Sequence, residues 1–247
     1  MCVLAFAWQA HPRWRLVLAG NRDEYHERPT QELNRWNGRD DLIAGRDLQS
    51  GGTWLGVSGH GRLAVITNLR GYDNRPDRQS RGILVSDALA GKEQQADLSV
   101  FNPFNLITVA WEGARFLTNR PQAVRSDLES GLYGLSNGAF DEPWPKTLHL
   151  KAMLLKWLVA DDEKPEQLFD VLREEELSEA GIGPSVPSDV PQEPRQSPIF
   201  IRNPVYGTRS STVVAIDNQG RGRIMEHRFS AAGEMMGAGS FDFLWSR

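Results

Sequence analysis

Residues 2–24 read CVLAFAWQAHPRWRLVLAGNRDE, and this stretch decides how the chain begins to fold. It contains two short apolar runs, 2–8 and 14–19, on either side of the turn-forming sequence QAHPR. Two such runs predict a pair of antiparallel strands. The hairpin brings the chain start onto the same sheet as the polar segment 21–24. In an extended strand Asn21 and Asp23 share one face, and Arg22 and Glu24 share the other.

Cys2 is the only cysteine in 247 residues, and removal of Met1 would leave it at the amino terminus. A free α-amine has a pKa of roughly 7.7–8.0 and a thiol one of roughly 8.5, so this residue would supply a nucleophile and a proton acceptor. The alternative is a small buried core residue, which is the usual environment of a lone cysteine. A single cysteine also excludes an intrachain disulfide, which fits a reducing compartment.

The composition predicts one globular domain over residues 1–247. A hydrophobic fraction of 40% against 24% charged residues is the balance of an ordered protein. The net charge of −4 argues against nucleic-acid binding through a basic face. Because no apolar stretch approaches the roughly 20 residues that span a bilayer, and no secretory leader is evident, we expect a cytoplasmic protein without an integral membrane segment.

Apolar patterning predicts further strands at 42–47, 51–57, 62–68, 105–111, 114–118, 132–136, 211–217 and 223–229. It predicts helices at 82–89 and in the apolar repeats that begin at Leu150 and Leu168. The polar stretch 25–40 is predicted to be irregular. The proline-rich segment 178–198 is predicted to be an extended loop or lid.

Several well-known chemistries find no support in the sequence. The five histidines lack zinc-ligand spacing, and neither a phosphate-binding GxxxxGK[ST] loop nor a GxSxG nucleophile motif occurs. We therefore predict no metal site and no required cofactor.

Six motifs in order along nearly the whole chain carry a specific resemblance. They are Met1-Cys2, Asn21-Arg22-Asp23-Glu24, Gly51-Gly52-Thr53-Trp54-Leu55-Gly56, Thr67-Asn68, Tyr133-Gly134-Leu135-Ser136-Asn137 and Tyr206-Gly207-Thr208-Arg209-Ser210-Ser211-Thr212. Together they resemble the NRDE family, also called the transport-and-Golgi-organisation family. The resemblance implies an α+β fold, a four-layer αββα sandwich in which two antiparallel sheets lie between helical layers, as in N-terminal-nucleophile hydrolases.

The chain more distantly resembles cysteine hydrolases of the choloylglycine and penicillin acylase type, which cleave amide bonds in small substrates. This resemblance implies that Cys2 is nucleophile and base, that Asp23 binds its amine, and that Arg22 lowers the pKa of its thiol. Asn137 would stabilise the oxyanion, and Arg209 would be a second cation near the site. Further substrate- or ligand-binding candidates are Asn21, Glu24, Asn68 and Trp54.

Structural explanations compete with these roles. In the hydrolases the Arg and Asp are separated by two residues, whereas Arg22 and Asp23 are adjacent, so a β-bulge is needed for both to face one site. Arg22 could instead form a buried ion pair with Glu24 or Asp47. Asn137 could be a turn residue, and Trp54 a core residue.

Two functions follow from the resemblance. The first is an amidohydrolase that cleaves a small or lipid-like amide through Cys2. The second is a non-catalytic trafficking protein that binds haem, or acyl-CoA or another acyl lipid, in the same pocket, because members of the family have been linked to haem mobilisation and lipid metabolism. The predominance of arginine, 23 of the 28 basic residues, suits a ligand with carboxylate or phosphate groups.

Overall fold

A computed structural model of the chain describes residues 2–36, 38–92, 97–160, 163–184 and 194–245. Within these ranges the chain forms thirteen strands and three α-helices. The strands are β1 (Cys2–Trp8), β2 (Trp14–Tyr25), β3 (Thr30–Trp36), β4 (Arg39–Asp47), β5 (Leu55–Ser58), β6 (Arg62–Asn68), β7 (Phe104–Val109), β8 (Ala114–Thr118), β9 (Val124–Leu128), β10 (Gly131–Leu135), β11 (Tyr206–Asp217), β12 (Arg221–Phe229) and β13 (Met235–Leu244). The helices are α1 (Gly82–Leu89), α2 (Pro145–Val159) and α3 (Leu168–Leu172).

The strands form two antiparallel sheets. The six-stranded sheet has the order β10-β1-β2-β11-β12-β13, and the seven-stranded sheet has the order β3-β4-β5-β6-β7-β8-β9. The predicted first hairpin is therefore confirmed, and it lies inside the six-stranded sheet, flanked by β10 and β11.

Strand alternation divides the apolar side chains between two environments. One face of the first hairpin, including Leu4 and Leu18, packs against Val57 and Val65 of the other sheet. The opposite face, including Val17, packs against α2 and α3. Helix α1 packs in the same way on the outer face of β5 and β6. The structure thus consists of two facing sheets, with helices against their outer surfaces.

Most predicted elements are confirmed, with shifts at their ends. Strands β1, β6 and β8 and helix α1 match the predicted bounds, whereas β2 extends through the polar segment to Tyr25 and β5 begins only at Leu55. The irregular stretch expected at 25–40 is wrong, because β3 lies there and β4 begins at Arg39. Strands β9 and β13 were not predicted.

The proline-rich segment is only partly described. Short 3-10 helices occur at Ser178–Ala180 and Pro194–Gln196, while residues 185–193 lie outside the described ranges. The lid therefore stays a prediction. In the part of the chain that is described, no helix combines the length and the apolar character needed to cross a membrane.

Candidate functional site

A cleft of about 320 Å³ lies at the ends of β1, β2, β4 and β6. It brings together six of the residues that the sequence singled out: Cys2, Arg22, Asp23, Glu24, Trp54 and Asn68. The other three, Asn21, Asn137 and Arg209, do not line it. The cleft is the candidate site because it holds the one thiol of the protein beside charged side chains.

The strand register sets the neighbours of Arg22 and Asp23 at the end of β2. Cys2 pairs directly with Arg22 across β1 and β2. On the other side of β2, the register shifts between Thr208 and Ser210, so that Arg209 has no partner in β2. The bulge belongs to the neighbouring strand β11, and β2 itself runs on without an extra residue between Arg22 and Asp23. Asp23 is held there by Thr208, whose Oγ1 donates to its Oδ1 at 2.8 Å.

Cys2 is buried but reaches the cleft, with 8% of its surface exposed. Its backbone N–H donates to Asn137 Oδ1 at 3.2 Å, and Ser136 Oγ donates to its carbonyl oxygen at 2.7 Å. Burial raises the pKa of the thiol, while the charge of Arg22 and the backbone N–H of Asp23 lower it. Met1 lies outside the described residues, so its removal stays a prediction.

The structure gives Asn137 a backbone-bridging position, and the oxyanion role expected for it stays a prediction. Its side chain is fully buried, and its Nδ2 donates to the carbonyl oxygen of Asn68 at 2.7 Å while its Oδ1 accepts from Cys2. The amide thus ties the start of β1 to the end of β6. Asn68 is exposed and lines the cleft.

The structure places Asn21 and Arg209 outside the lining of the cleft, and the site roles expected for them stay predictions. Asn21 Nδ2 donates to the carbonyl oxygens of Leu172 and Ile199, on the face of the sheet that carries the helices. Arg209 Nη1 donates to the carbonyl oxygens of Tyr25 and Arg28. Strand alternation turns Asn21 away from the cleft, and the bulge directs Arg209 to the backbone after β2.

The ion pairs proposed as a structural alternative for Arg22 are present as well. Arg22 Nη2 lies 3.5 Å from Glu24 and 3.9 Å from Asp47. Arg28 completes the network, at 2.7 Å from Asp47 and 3.8 Å from Glu24. Arg22 therefore both fixes the end of β2 and stands beside the thiol.

Lys146 is a functional candidate that sequence reasoning missed. It is fully buried in the first turn of α2, and its Nζ donates to Ser197 Oγ at 2.7 Å. Burial lowers its pKa to about 8, although the charges of Asp23 and Cys2 raise it. The pKa of Asp23 is raised by burial, and Lys146 partly offsets this effect. A signal was available, because Lys146 continues the i, i+4, i+8 apolar stripe of Leu150 and Leu154.

Glu226 is a second missed residue. It lies on β12 at the bottom of the cleft, and its Oε1 accepts from the backbone N–H of Leu33 on β3 at 2.9 Å. Burial raises its pKa to about 7. Nothing in its local sequence, RIMEHRF, marks it as buried.

Comparison with known proteins shows which family the chain belongs to. Residues 1–231 match the family model described as Transport and Golgi organisation 2. The chain belongs to this family. The mouse Transport and Golgi organization 2 homolog is 30% identical over 251 residues, covering 89% of this chain and 90% of the relative. The bovine homolog is 31% identical over 248 residues, with the same two coverages. The resemblance identified from the sequence motifs is therefore confirmed.

More distant similarity is found to two further proteins. The Drosophila melanogaster Transport and Golgi organization protein 2 is 25% identical over 268 residues, covering 92% of this chain and 91% of the relative. Among solved structures, a Caenorhabditis elegans N-acylethanolamine-hydrolyzing acid amidase (NAAA) ortholog matches with a TM-score of 0.45 and 12% identity, covering 85% of this chain and 91% of that chain.

In this member of the Transport and Golgi organisation 2 family, a backbone contact next to the cleft explains the glycine motif at residues 51–56. A Cβ atom on Gly52 would lie 2.4 Å from the carbonyl carbon of Gly82, so the two backbones meet without room for a side chain. The contact holds the segment before β5 against the start of α1, and both glycines line the cleft.

A second, mostly apolar cavity of about 600 Å³ lies on the other side of Asn137. Phe116, Phe140 and Trp144 line it together with Arg70 and Arg120. Asn137 lines this cavity and bonds Cys2 and Asn68, which line the cleft, so the two spaces are separated by one side chain. Among the described residues, no group of three or more His, Cys, Asp or Glu side chains could hold a metal ion.

Proposed function

We propose that this family member is an amidohydrolase that cleaves a small or lipid-like amide through Cys2. The observation that carries the proposal is the surroundings of Cys2: its thiol reaches a cleft beside Arg22 and Asp23, and its backbone nitrogen is held by Asn137. A nucleophile held by its own nitrogen next to a cation is the arrangement that an amino-terminal thiol needs for attack on a carbonyl.

The chemistry would begin after removal of Met1, when the nitrogen held by Asn137 becomes a free amine. That amine accepts the thiol proton as Sγ attacks the carbonyl carbon, and the proton then passes to the leaving nitrogen as the C–N bond breaks. Water hydrolyses the resulting thioester. Asn68 would stabilise the oxyanion, the kind of contact whose loss costs about 3–4 kcal/mol in other enzymes.

The placement of the helices supports the fold that the family resemblance implied. Helices α2 and α3 pack outside the six-stranded sheet, and α1 packs outside the seven-stranded sheet. We infer that they are the outer layers of a four-layer αββα sandwich of the N-terminal-nucleophile hydrolase type. A cytoplasmic location, as expected from the sequence, is part of the same proposal.

A second candidate function is binding and trafficking of haem or an acyl lipid such as acyl-CoA. The observation that favours it is the apolar cavity behind Asn137, because cavities of roughly 300–1,000 Å³ with aromatic walls commonly hold small apolar ligands. Haem would be a cargo ligand here, and no cofactor would be required for the binding.

Amide cleavage is tested with N-acyl aminocoumarin amides of short and long acyl chains, by the release of fluorescent aminocoumarin. Intact mass gives the state of Met1, and a thioester adduct on Cys2 is sought in acid-quenched samples. We expect removal of Met1, an acyl adduct, and loss of both adduct and release in Cys2→Ala. Retention of Met1, or full activity in Cys2→Ala, would contradict the mechanism.

Ligand binding is tested separately on the Cys2→Ala variant. A shift of the haem absorption band, or retention of an acyl species through gel filtration, would support the trafficking function without hydrolysis. The absence of both, together with amide cleavage by the unaltered protein, would leave the hydrolase as the function of the cleft.

A further inference from the structure

The start of helix α1 lines the Cys2 cleft, and the N–H groups of Ile83 and Leu84 in its first turn donate to the carbonyl oxygens of Ser80 and Arg81. The residue before the helix, Arg81, makes no side-chain capping hydrogen bond, and the first turn carries no acidic residue. Ser80, Arg81 and Gly82 all line the cleft. Because the N-terminal end of a helix carries partial positive charge, this end favours an anion.

Three arginines surround this helix start in the sequence RPDRQSRG, residues 75–82. Arg75, Arg78 and Arg81 line the cleft. Arg78 Nη1 donates to the carbonyl oxygen of Ser99 at 2.6 Å, and Arg81 Nη1 donates to that of Pro103 at 2.9 Å. These bonds position the side chains while leaving other N–H donors of each guanidinium for a ligand.

None of these three arginines forms an ion pair within 4.0 Å with a carboxylate in the described part of the chain. Of the acidic residues in the cleft, Glu24 and Asp47 pair with Arg22 and Arg28, and Asp97 interacts electrostatically with Arg78 from outside the cleft lining. The side chain of Arg22 is only 9% exposed, and its Nη1 lacks a hydrogen-bond partner among the described residues. The cleft therefore has more positive charge around α1 than its own carboxylates neutralise.

We propose that the start of α1, with Arg75, Arg78 and Arg81, is a binding site for a phosphate group of the ligand. The forked guanidinium donors match the several acceptor oxygens of a phosphate, and the positive end of the α1 dipole adds to their charge. The ligand would thus carry its phosphate beside α1 and present the rest of its structure toward Cys2.

The site shares its cleft with the proposed hydrolase but does not use the thiol. Phosphate binding is therefore expected in Cys2→Ala, and its failure is distinguishable from failure of amide cleavage. Two sources of the phosphate are separable by experiment: a soluble phosphorylated compound and a phospholipid headgroup.

The test uses inorganic pyrophosphate in isothermal titration calorimetry, and flotation with phosphatidylcholine vesicles that contain phosphatidic acid. The Cys2→Ala protein is compared with the same protein carrying Arg78→Gln or Arg81→Gln. The matched control is Arg125→Gln, at an exposed arginine on β9 that does not line the cleft. Thermal unfolding of each variant shows whether it is folded.

We expect pyrophosphate to bind with one site per chain, and each cleft substitution to weaken it at least about tenfold, since a hydrogen bond to a charged group is lost. Arg125→Gln should bind as before. If the Cys2→Ala protein floats with the vesicles but does not bind pyrophosphate, and Arg78→Gln and Arg81→Gln abolish the flotation, the phosphate site would be supported with a lipid as the source of the phosphate. Binding of neither probe, or binding that Arg78→Gln and Arg81→Gln leave unchanged, would overturn the proposal.

Discussion

At the scale of single residues, the reactivity of Cys2 depends on several opposing effects on its thiol pKa, of which burial is the largest and the charge of Asp23 also raises it. Burial raises the pKa of its thiol, and the Arg22 guanidinium lowers it. Arg22→Gln should therefore raise the thiol pKa further and slow alkylation by iodoacetamide at pH 7.5 by about three- to tenfold, because a shift of one pKa unit changes the thiolate fraction tenfold. The pH profile of the alkylation rate, followed by intact mass, measures this shift.

Arg209→Gln is the matched control for this experiment. Arg209 is bonded to backbone carbonyl groups after β2 and does not line the cleft, so its loss should leave the alkylation profile nearly unchanged. If both variants slowed alkylation equally, the effect would come from general disturbance of β2 and not from the charge beside the thiol.

Sequence motifs identified the cleft residues that lie at strand ends. Residues that reach the cleft only through the tertiary fold were missed. Cys2, Arg22 and Asp23 were identified from the motifs at the strand ends, and they meet in the cleft. Arg78 and Glu226 reach it through long-range packing that no local pattern records. Asn137 holds the backbone of Cys2 and Asn68, and the oxyanion role predicted for it stays a prediction.

At the scale of elements, the Gly52–Gly82 contact fixes α1 against the segment before β5. Gly52→Ala would place a Cβ atom 2.4 Å from the backbone of Gly82, so it should lower the free energy of unfolding by about 1–3 kcal/mol. Urea unfolding measures the loss. Gly113→Ala is the control, because a Cβ there meets nothing within 4 Å, and its effect should stay below about 1 kcal/mol. Equal losses would show that the contact is not the cause.

The bond from Leu33 on β3 to Glu226 on β12 links the two sheets, and the burial of this carboxyl makes stability pH-dependent. Burial raises the pKa of Glu226 to about 7 from 4.5, so the folded state holds a proton that the unfolded state has released. The stabilisation from this proton is present below about pH 4.5 and is lost as pH rises through 7. Glu226→Gln should therefore gain roughly 2–3 kcal/mol relative to the unaltered protein between pH 5 and pH 8.

Urea unfolding of the two proteins at pH 5 and pH 8 measures this difference. The exposed Glu112→Gln is the control, and its unfolding free energy should stay within about 0.5 kcal/mol of the unaltered protein at both pH values. A difference between Glu226→Gln and the unaltered protein that does not change with pH would mean that Glu226 is already ionised at pH 5 in the folded protein.

Three strands escaped prediction for one physical reason. Strands β3, β9 and β13 are at sheet edges, where a strand has one neighbour and much of its surface meets solvent. Their side chains are accordingly mostly exposed or half-buried, and they lack the apolar runs that identified β1 and β6. Hydrophobic patterning therefore predicts the interior of each sheet better than its edges.

At the scale of the whole molecule, three apolar cores stabilise the protein: one between the sheets, one beneath α2 and α3, and one beneath α1. Leu154 is fully buried in the second core, and Leu155 beside it is 50% exposed. Leu154→Ala should lower the free energy of unfolding by about 2–5 kcal/mol, and Leu155→Ala by less than about 1 kcal/mol. Urea unfolding of the pair measures whether α2 stabilises the sheet, and equal losses would contradict such a role.

The order of strands in the six-stranded sheet has a consequence for biosynthesis. Strand β2 is made near the start of translation, yet its neighbour β11 comes from the last fifth of the chain, and the bond between Asn21 and Ser211 joins residues 190 positions apart. The edge of β2 that pairs with β11 therefore stays unpaired during translation until almost the entire polypeptide has left the ribosome. A chain of such high contact order folds slowly, and chaperones that shield nascent strands should improve its yield in cells.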